Sequence, residues 1–215
     1  VSDNHDHING THRALGTRRI PAGEGTAVLL RRHYAADVAD VWDACTDPKR
    51  IGRWFLPVEG DLRPGGSYQL DGNAGGDILR CEPPRLLKVT WVFGEDPGES
   101  DVSEVEVRLT ADGEGTLFEL EHTGVVPPEM WAEFGPGATG VGWDLGLLGL
   151  AWHLADGRTA DPDTWAGTPE GREFVTASSR AWGAAHRAAG ADAETADTAA
   201  RKTAAFYAPE PGAQG

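Results

Sequence analysis

The stretch from Gly140 to Leu154, GVGWDLGLLGLAWHL, constrains what this chain can fold into more than any other. At helical spacing Trp143, Leu147, Leu150, Ala151 and Leu154 form one apolar stripe, while Leu145, Leu148 and Trp152 form a second. A helix that is apolar almost all round has to be covered on two sides. The remaining chain is therefore expected to supply two covers. Within the helix Asp144 is the one acidic group, and it sits in the first turn, where the helix dipole favours a carboxylate.

One cover is legible between Val58 and Thr123. There RPGG, GNAGG, EPPR, GEDPGE and ADGEG separate short runs rich in Val, Leu, Thr and aromatic residues, which predicts a strand meander. The clearest runs are 67–70, 77–81, 86–93, 102–109 and 116–122. In the fourth, Val105, Val107 and Leu109 alternate with Glu104, Glu106 and Arg108, so one face is buried and the other wet. Upstream, GTRRI, a turn-forming PAGEG and TAVLLRRHY read as a hairpin leading into a long strand. In DVADVWDAC, Val38, Val41, Trp42 and Cys45 recur at i, i+3, i+4 and i+7, a short amphipathic helix. Asp47 before Pro48 then suits a cap followed by Pro at the first helical position, and Ile51, Trp54 and Phe55 continue the pattern in a second helix.

The second cover is expected from the C-terminal part. After a linker, DGRTADPDTW, two Ala-rich segments read as helices, the first with a stripe of Phe174, Ala177, Ala181, Trp182 and Ala185. Its small residues Ala181, Ala184 and Ala188 could pack against a symmetry mate, giving a homodimer. At the other end residues 1–15, VSDNHDHINGTHRAL, are polar and aperiodic, and read as a mobile arm. The expected organisation is an arm over 1–15, a domain over 16–155, and a linker with a helical extension over 156–215 packed on that domain.

Composition narrows the function classes. Lys and Arg number 19 against 34 Asp and Glu, and the resulting net charge of -15 would repel a phosphate backbone or an anionic bilayer. No nucleic acid is expected as a partner. No apolar run approaches the ~20 residues of a membrane span, so no membrane is expected either. With only Cys45 and Cys81, and no basic-then-apolar leader, the expectation is a cytoplasmic protein with reduced thiols. The histidines His5, His7 and His12 have no metal-ligand spacing, and neither a metal nor a cofactor is expected.

Few residues offer chemistry. GPGATG over 135–140 fits G-x-G-x-x-G, but a dinucleotide turn must follow a buried parallel strand, and the preceding EMWAEF looks helical. There is no G-x-S-x-G, H-E-x-x-H or C-x-x-C. Cys45 and Cys81 read as small apolar residues. His122 ends the last meander strand in register with Phe118 and Leu120, so it points toward whatever those residues face. It is the best general acid or base on offer, or else a core-edge histidine bonded to a backbone carbonyl. Asp144 is the other candidate, with capping as its plainer reading. Glu104 and Glu106 read as a solvated face.

The order of these elements resembles the START-like SRPBCC superfamily, and within it the branch of Aha-type heat-shock-protein ATPase activator homologues. The residues that carry the likeness are Val41-Trp42-Asp43-Ala44 with Thr46-Asp47-Pro48, Arg53-Trp54-Phe55, Pro64-Gly65-Gly66, Glu82-Pro83-Pro84-Arg85-Leu86 and Thr90-Trp91. The C-terminal segments look like those of actinobacterial members that bear a helical extension. The resemblance, over roughly 16–154, implies an α+β helix-grip fold: a curved antiparallel sheet wrapped around a long helix, with a cavity between them. Elements bordering that cavity carry Trp54, Phe55, Tyr68, Trp91, Phe118, Leu120, His122, Trp143 and Leu147. The expected function is binding of a small, partly apolar or weakly acidic ligand there, with any acid group near the helix start at 137–142. Weak catalysis, a cyclase-like or hydrolase-like activity, and an Aha-like protein-interaction role are the alternatives, because fold alone does not choose among them.

Overall fold

A computed structural model describes residues 2–94, 98, 101–158 and 162–209. The chain begins with helix α1 (Ser2–Asn9) and the hairpin β1 (Thr11–Ile20) and β2 (Gly23–Tyr34). Two short helices follow, α2 (Val38–Thr46) and α3 (Pro48–Trp54). Asp37 caps α2 by accepting from the Asp40 amide, and Asp47 caps α3 by accepting from the Lys49 and Arg50 amides. The meander is β3 (Val58–Gly60), β4 (Ser67–Leu70), β5 (Gly75–Glu82), β6 (Leu86–Trp91), β7 (Ser103–Asp112) and β8 (Gly115–Gly124). Then come α4 (Pro128–Phe134), the long helix α5 (Gly137–Asp156), α6 (Pro162–Ala166), α7 (Pro169–Ala188) and α8 (Ala193–Tyr207).

All eight strands join one antiparallel sheet in the order β1-β2-β8-β7-β6-β5-β4-β3. This is the helix-grip arrangement: the sheet curves around α5, and α2 and α3 pack between them. Alternation along each strand decides which residues face the helix. Val28 and Leu30 of β2, Val105, Val107 and Leu109 of β7, and Phe118 and Leu120 of β8 are paired across the sheet on its inner face. In β5 a register shift between Ile78 and Arg80 inserts Leu79 as an extra residue. Ile78 and Cys81, three apart, thereby both face inward, and Leu79 is exposed.

The far side of α5 is covered by α7 and α8. Two glycines let α5 approach its neighbours closely, Gly140 toward α7 and Gly149 toward the end of α3. A Cβ on Gly140 would lie 2.1 Å from the Trp182 ring, and one on Gly149 would lie 2.6 Å from the Trp54 carbonyl oxygen. Phe174, Val175, Ser178 and Trp182 of α7 are buried. Of the alanines proposed for a symmetry contact, Ala184 and Ala188 are exposed, while Ala181 packs partly against the core.

Two segments differ from the sequence expectation. Residues 2–15 form α1 and the first half of β1 rather than an unstructured arm, and His7 and Ile8 are buried. The His7 ring meets Phe174 at 5.7 Å, and β1 pairs with β2 along its whole length, so backbone hydrogen bonds order a strand that its side chains do not advertise. In the linker, Pro162–Ala166 forms the short helix α6, whose Trp165 reaches Trp152 at 5.0 Å; residues 159–161 lie outside the described residues.

Asp144 is neither a helix cap nor solvent-facing. Its carboxylate is fully buried and receives Arg13 at both oxygens (2.9 and 3.0 Å), the Ser178 hydroxyl (2.5 Å) and the Trp182 indole N–H (3.0 Å). One carboxylate thus joins β1, α5 and α7. Removing one partner of a buried pair leaves an uncompensated charge, so Arg13→Met should cost about 3–5 kcal/mol in chemical denaturation. Arg18→Met, which breaks an exposed pair with Glu121, should cost about 0–1 kcal/mol. Equal midpoints for the two variants would contradict this assignment.

Candidate ligand cavity

Between the inner face of the sheet and α5 lies a cavity of about 180 Å³. Helix α3 contributes Ile51 and Trp54, with Phe55 just past its end; β4 contributes Tyr68 and Leu70, β6 contributes Leu87, Val89 and Trp91, and α5 contributes Trp143, Gly146 and Leu147. Each strand sends alternate residues inward, which is why Leu87, Val89 and Trp91 line the space while Lys88 turns out to meet Glu104 at 2.7 Å. The aromatic rings are in mutual contact: Phe55 stacks on Trp143 (6.1 Å, 18°), and Trp91 meets Trp143 at 5.1 Å and Tyr68 at 6.3 Å.

The polar atoms of this lining are mostly spent elsewhere. Tyr68 donates to the Thr90 carbonyl (2.7 Å), Trp54 to the Ala44 carbonyl (2.9 Å) and Thr46 to the Trp42 carbonyl (2.8 Å). A lining of this kind selects by shape and apolar contact rather than by hydrogen bonds. Its one charged member is Arg63, which is exposed in the loop at the mouth and paired with Asp61. Sequence reasoning did not single out Arg63, nor that Cys45 and Cys81 line the cavity. Burial pushes the Cys45 thiol up to about 12 and raises that of Cys81, so neither is a ready nucleophile.

Of the residues expected at the site, Trp54, Phe55, Tyr68, Trp91, Phe118, Leu120, Trp143 and Leu147 all line this cavity. His122 does not. It faces the same side of β8 as Phe118 and Leu120, but beyond the Trp143 ring, where it borders a separate surface depression. Asp144 is on another face of α5 and is occupied by Arg13, Ser178 and Trp182. Glu104 and Glu106 lie on the convex face, with Lys88 and Arg108 as partners. The start of α5 is also closed to the cavity as an anion site. A Cβ on Gly137 would meet the Thr203 hydroxyl at 2.5 Å, and Tyr207 donates to the Ala138 carbonyl (2.5 Å).

The surroundings of His122 fix its protonation. Trp143 donates its indole N–H to Nδ1 (3.0 Å), so the neutral ring carries its proton on Nε2. That proton is directed at Ser103 Oγ (2.8 Å), whose own hydrogen goes to the Trp91 carbonyl (2.7 Å). A serine nucleophile needs the opposite arrangement, with a bare Nε2 to accept the hydroxyl proton. Burial lowers His122 to about 4, which also makes it a weak base.

Residues 35–155 match the family described as activator of Hsp90 ATPase homolog 1-like protein. The chain belongs to that family. The crystal structure of CalU16 from Micromonospora echinospora is similar at 44% identity, over 82% of this chain and 98% of that one, with a TM-score of 0.65. DynU16, a protein of the dynemicin biosynthetic locus, is 25% identical over 62% of this chain and 48% of that one, with a TM-score of 0.53. The Aha1 dimer of Colwellia psychrerythraea shares the fold at 16% identity and a TM-score of 0.51, over 61% of this chain and 98% of that one. No curated protein matches the chain. Among the described residues no helix is long and apolar enough to cross a membrane.

A pH dependence follows from the buried histidines. Burial holds His122 near 4, and burial with Arg32 and Arg13 holds His7 near 2, both below the ordinary 6.5. Between pH 6.5 and 4 the unfolded chain therefore binds more protons than the folded one, and stability falls as pH falls. His122→Asn should flatten the dependence of the melting temperature across that window. A slope identical to the parent's would mean that the histidine titrates alike in the folded and unfolded states.

Proposed function

We propose that this family member binds a small, predominantly apolar ligand containing an aromatic ring in the cavity between the sheet and α5. The observation that carries the reading is a partly open space of about 180 Å³ lined by Trp54, Phe55, Tyr68, Trp91 and Trp143, in which Arg63 at the mouth is the one charged lining residue among the described residues. An apolar cavity of about 150 Å³ is known to stay dry and take up benzene. The space is therefore large enough for one ring system, and Arg63 supports a weakly acidic substituent directed outward. The similarity to a protein of the dynemicin biosynthetic locus supports a secondary metabolite as the ligand class. The His122 tautomer favours binding over cyclase-like or hydrolase-like catalysis.

The protein-interaction reading draws on a different observation. Phe93 (59% exposed), Met130 and Val125 stand together at the rim of the depression beside His122, a form of surface used for partners. It is a second reading because the cavity needs no partner to explain its aromatic lining.

Titration with benzene, followed by methyl chemical shifts, tests the first reading. Saturable shifts at Val89, Val105 and Leu147 are expected, and Val107→Phe, which fills the space, should abolish them without loss of thermal stability. If benzene leaves these methyl groups unmoved, the cavity is a packing defect and the ligand reading fails.

A further inference from the structure

The aromatic cavity is closed at one end by a wall two side chains thick. On the cavity side stands Trp143, packed on Phe55 and Trp91. Behind it stands His122, joined to it by the single indole-to-Nδ1 hydrogen bond of 3.0 Å. His122 belongs to the lining of a depression of about 360 Å³, together with Thr26, Phe93, Asp101, Ser103 and Thr139.

The two concavities share one surface. Three neighbouring strands each send a residue to the cavity and, two positions along on the same face, another to the depression. These are Trp91 and Phe93 at the end of β6, Val105 and Ser103 on β7, and Leu120 and His122 on β8. Their register is continuous, with Trp91 opposite Ser103, and Val105 opposite His122. The inner face of the sheet therefore runs unbroken from one space to the other, and the interruption comes from α5 through Trp143. A helical side chain leans toward the helix N-terminus. The α5 residues Ala138 and Thr139, about one turn N-terminal to Trp143, line the depression. The indole thus stands over the boundary between the two spaces.

We propose that the cavity and the depression are two subsites of one elongated binding site, partitioned by the Trp143–His122 pair, whose full ligand is an aromatic molecule longer than the cavity with a hydrogen-bond donor at its far end. This rests on the ligand-binding reading of the cavity. The donor character follows from what the depression offers. The His122 Nε2 proton is committed to Ser103, while Nδ1 becomes a free acceptor once the indole turns away. Asp101 adds a carboxylate, with one oxygen taken by the Gly98 amide (2.9 Å). A donor on the ligand replaces the indole N–H at Nδ1, so displacement of Trp143 leaves no buried acceptor unpaired. An apolar pocket of about 300–1,000 Å³ is usual for a small-molecule site, and the cavity alone falls below that range. Joined to the depression it falls within it.

The test uses the full chain, three probes and two variants. The probes are benzene, 4-hydroxybiphenyl and 4-methoxybiphenyl, the last lacking the donor. The variants are Trp143→Ala, which removes the partition, and Trp143→Phe, which keeps a ring but removes the N–H. In the parent, benzene should shift cavity residues alone. In Trp143→Ala, 4-hydroxybiphenyl should shift Thr26, Ser103 and Val125 as well as Val89 and Val105, and bind about tenfold more tightly than to the parent. Trp143→Phe should move in the same direction by a smaller factor, and 4-methoxybiphenyl should gain less than its hydroxyl analogue in both. Benzene that fails to bind the parent overturns the ligand reading itself. Benzene that binds, with 4-hydroxybiphenyl gaining nothing in either variant or shifting only one compartment, overturns the bipartite site and leaves the cavity reading intact.

Discussion

The structure depends on a carboxylate buried in a helix that has no polar face. Asp144 cannot reach water, so its charge has to be met from the elements packed around α5. Arg13 supplies the charge from β1, and Ser178 and Trp182 supply hydrogen bonds from α7. Apolar burial alone would bring a sheet and a helical layer onto α5 without fixing their position along it. The four hydrogen bonds on Asp144 fix that position, and the glycines at 140 and 149 let Trp182 and the end of α3 come close enough to close the layers.

The cavity is what this packing leaves on the other side of the helix. It lies where the aromatic residues of α3, β4 and β6 and the neighbouring Phe55 meet Trp143, with Trp91 tilted against Phe55, Tyr68 and Trp143. Because Tyr68, Trp54 and Trp143 turn their polar atoms to partners behind the wall, the space is apolar although its lining contains groups able to hydrogen-bond. The same arrangement settles the state of His122. The ring is held between the Trp143 donor and the Ser103 oxygen, and its weak basicity follows from burial.

Much of this was legible in the sequence where partners are close in the chain or repeat with a period. The cap at Asp47, the alternation of Val105, Val107 and Leu109, and the two stripes of α5 led directly to the elements observed. The aromatic lining followed from the family resemblance together with the positions of Trp54, Tyr68, Trp91 and Trp143. What stayed hidden depends on partners far apart in sequence. Arg13 lies in a polar segment that carries no periodic signal, and its partner is 131 residues away. His122 shares the face of β8 that carries Phe118 and Leu120, but the Trp143 side chain, set by a helix far away in sequence, separates it from the cavity. The bulge at Leu79, which brings Cys81 inward, leaves no mark in DILRCE, where two adjacent apolar residues stand between charged ones.

The central claim is that the space beneath α5 exists to hold a molecule. Native mass spectrometry of the protein purified from its own host, beside the Val107→Phe variant prepared in the same way, tests it most directly. The account predicts a parent population heavier than the chain by a small-molecule mass that is released on denaturation and missing from the variant. The same retained mass on both proteins, or a parent that carries only another polypeptide, would contradict it.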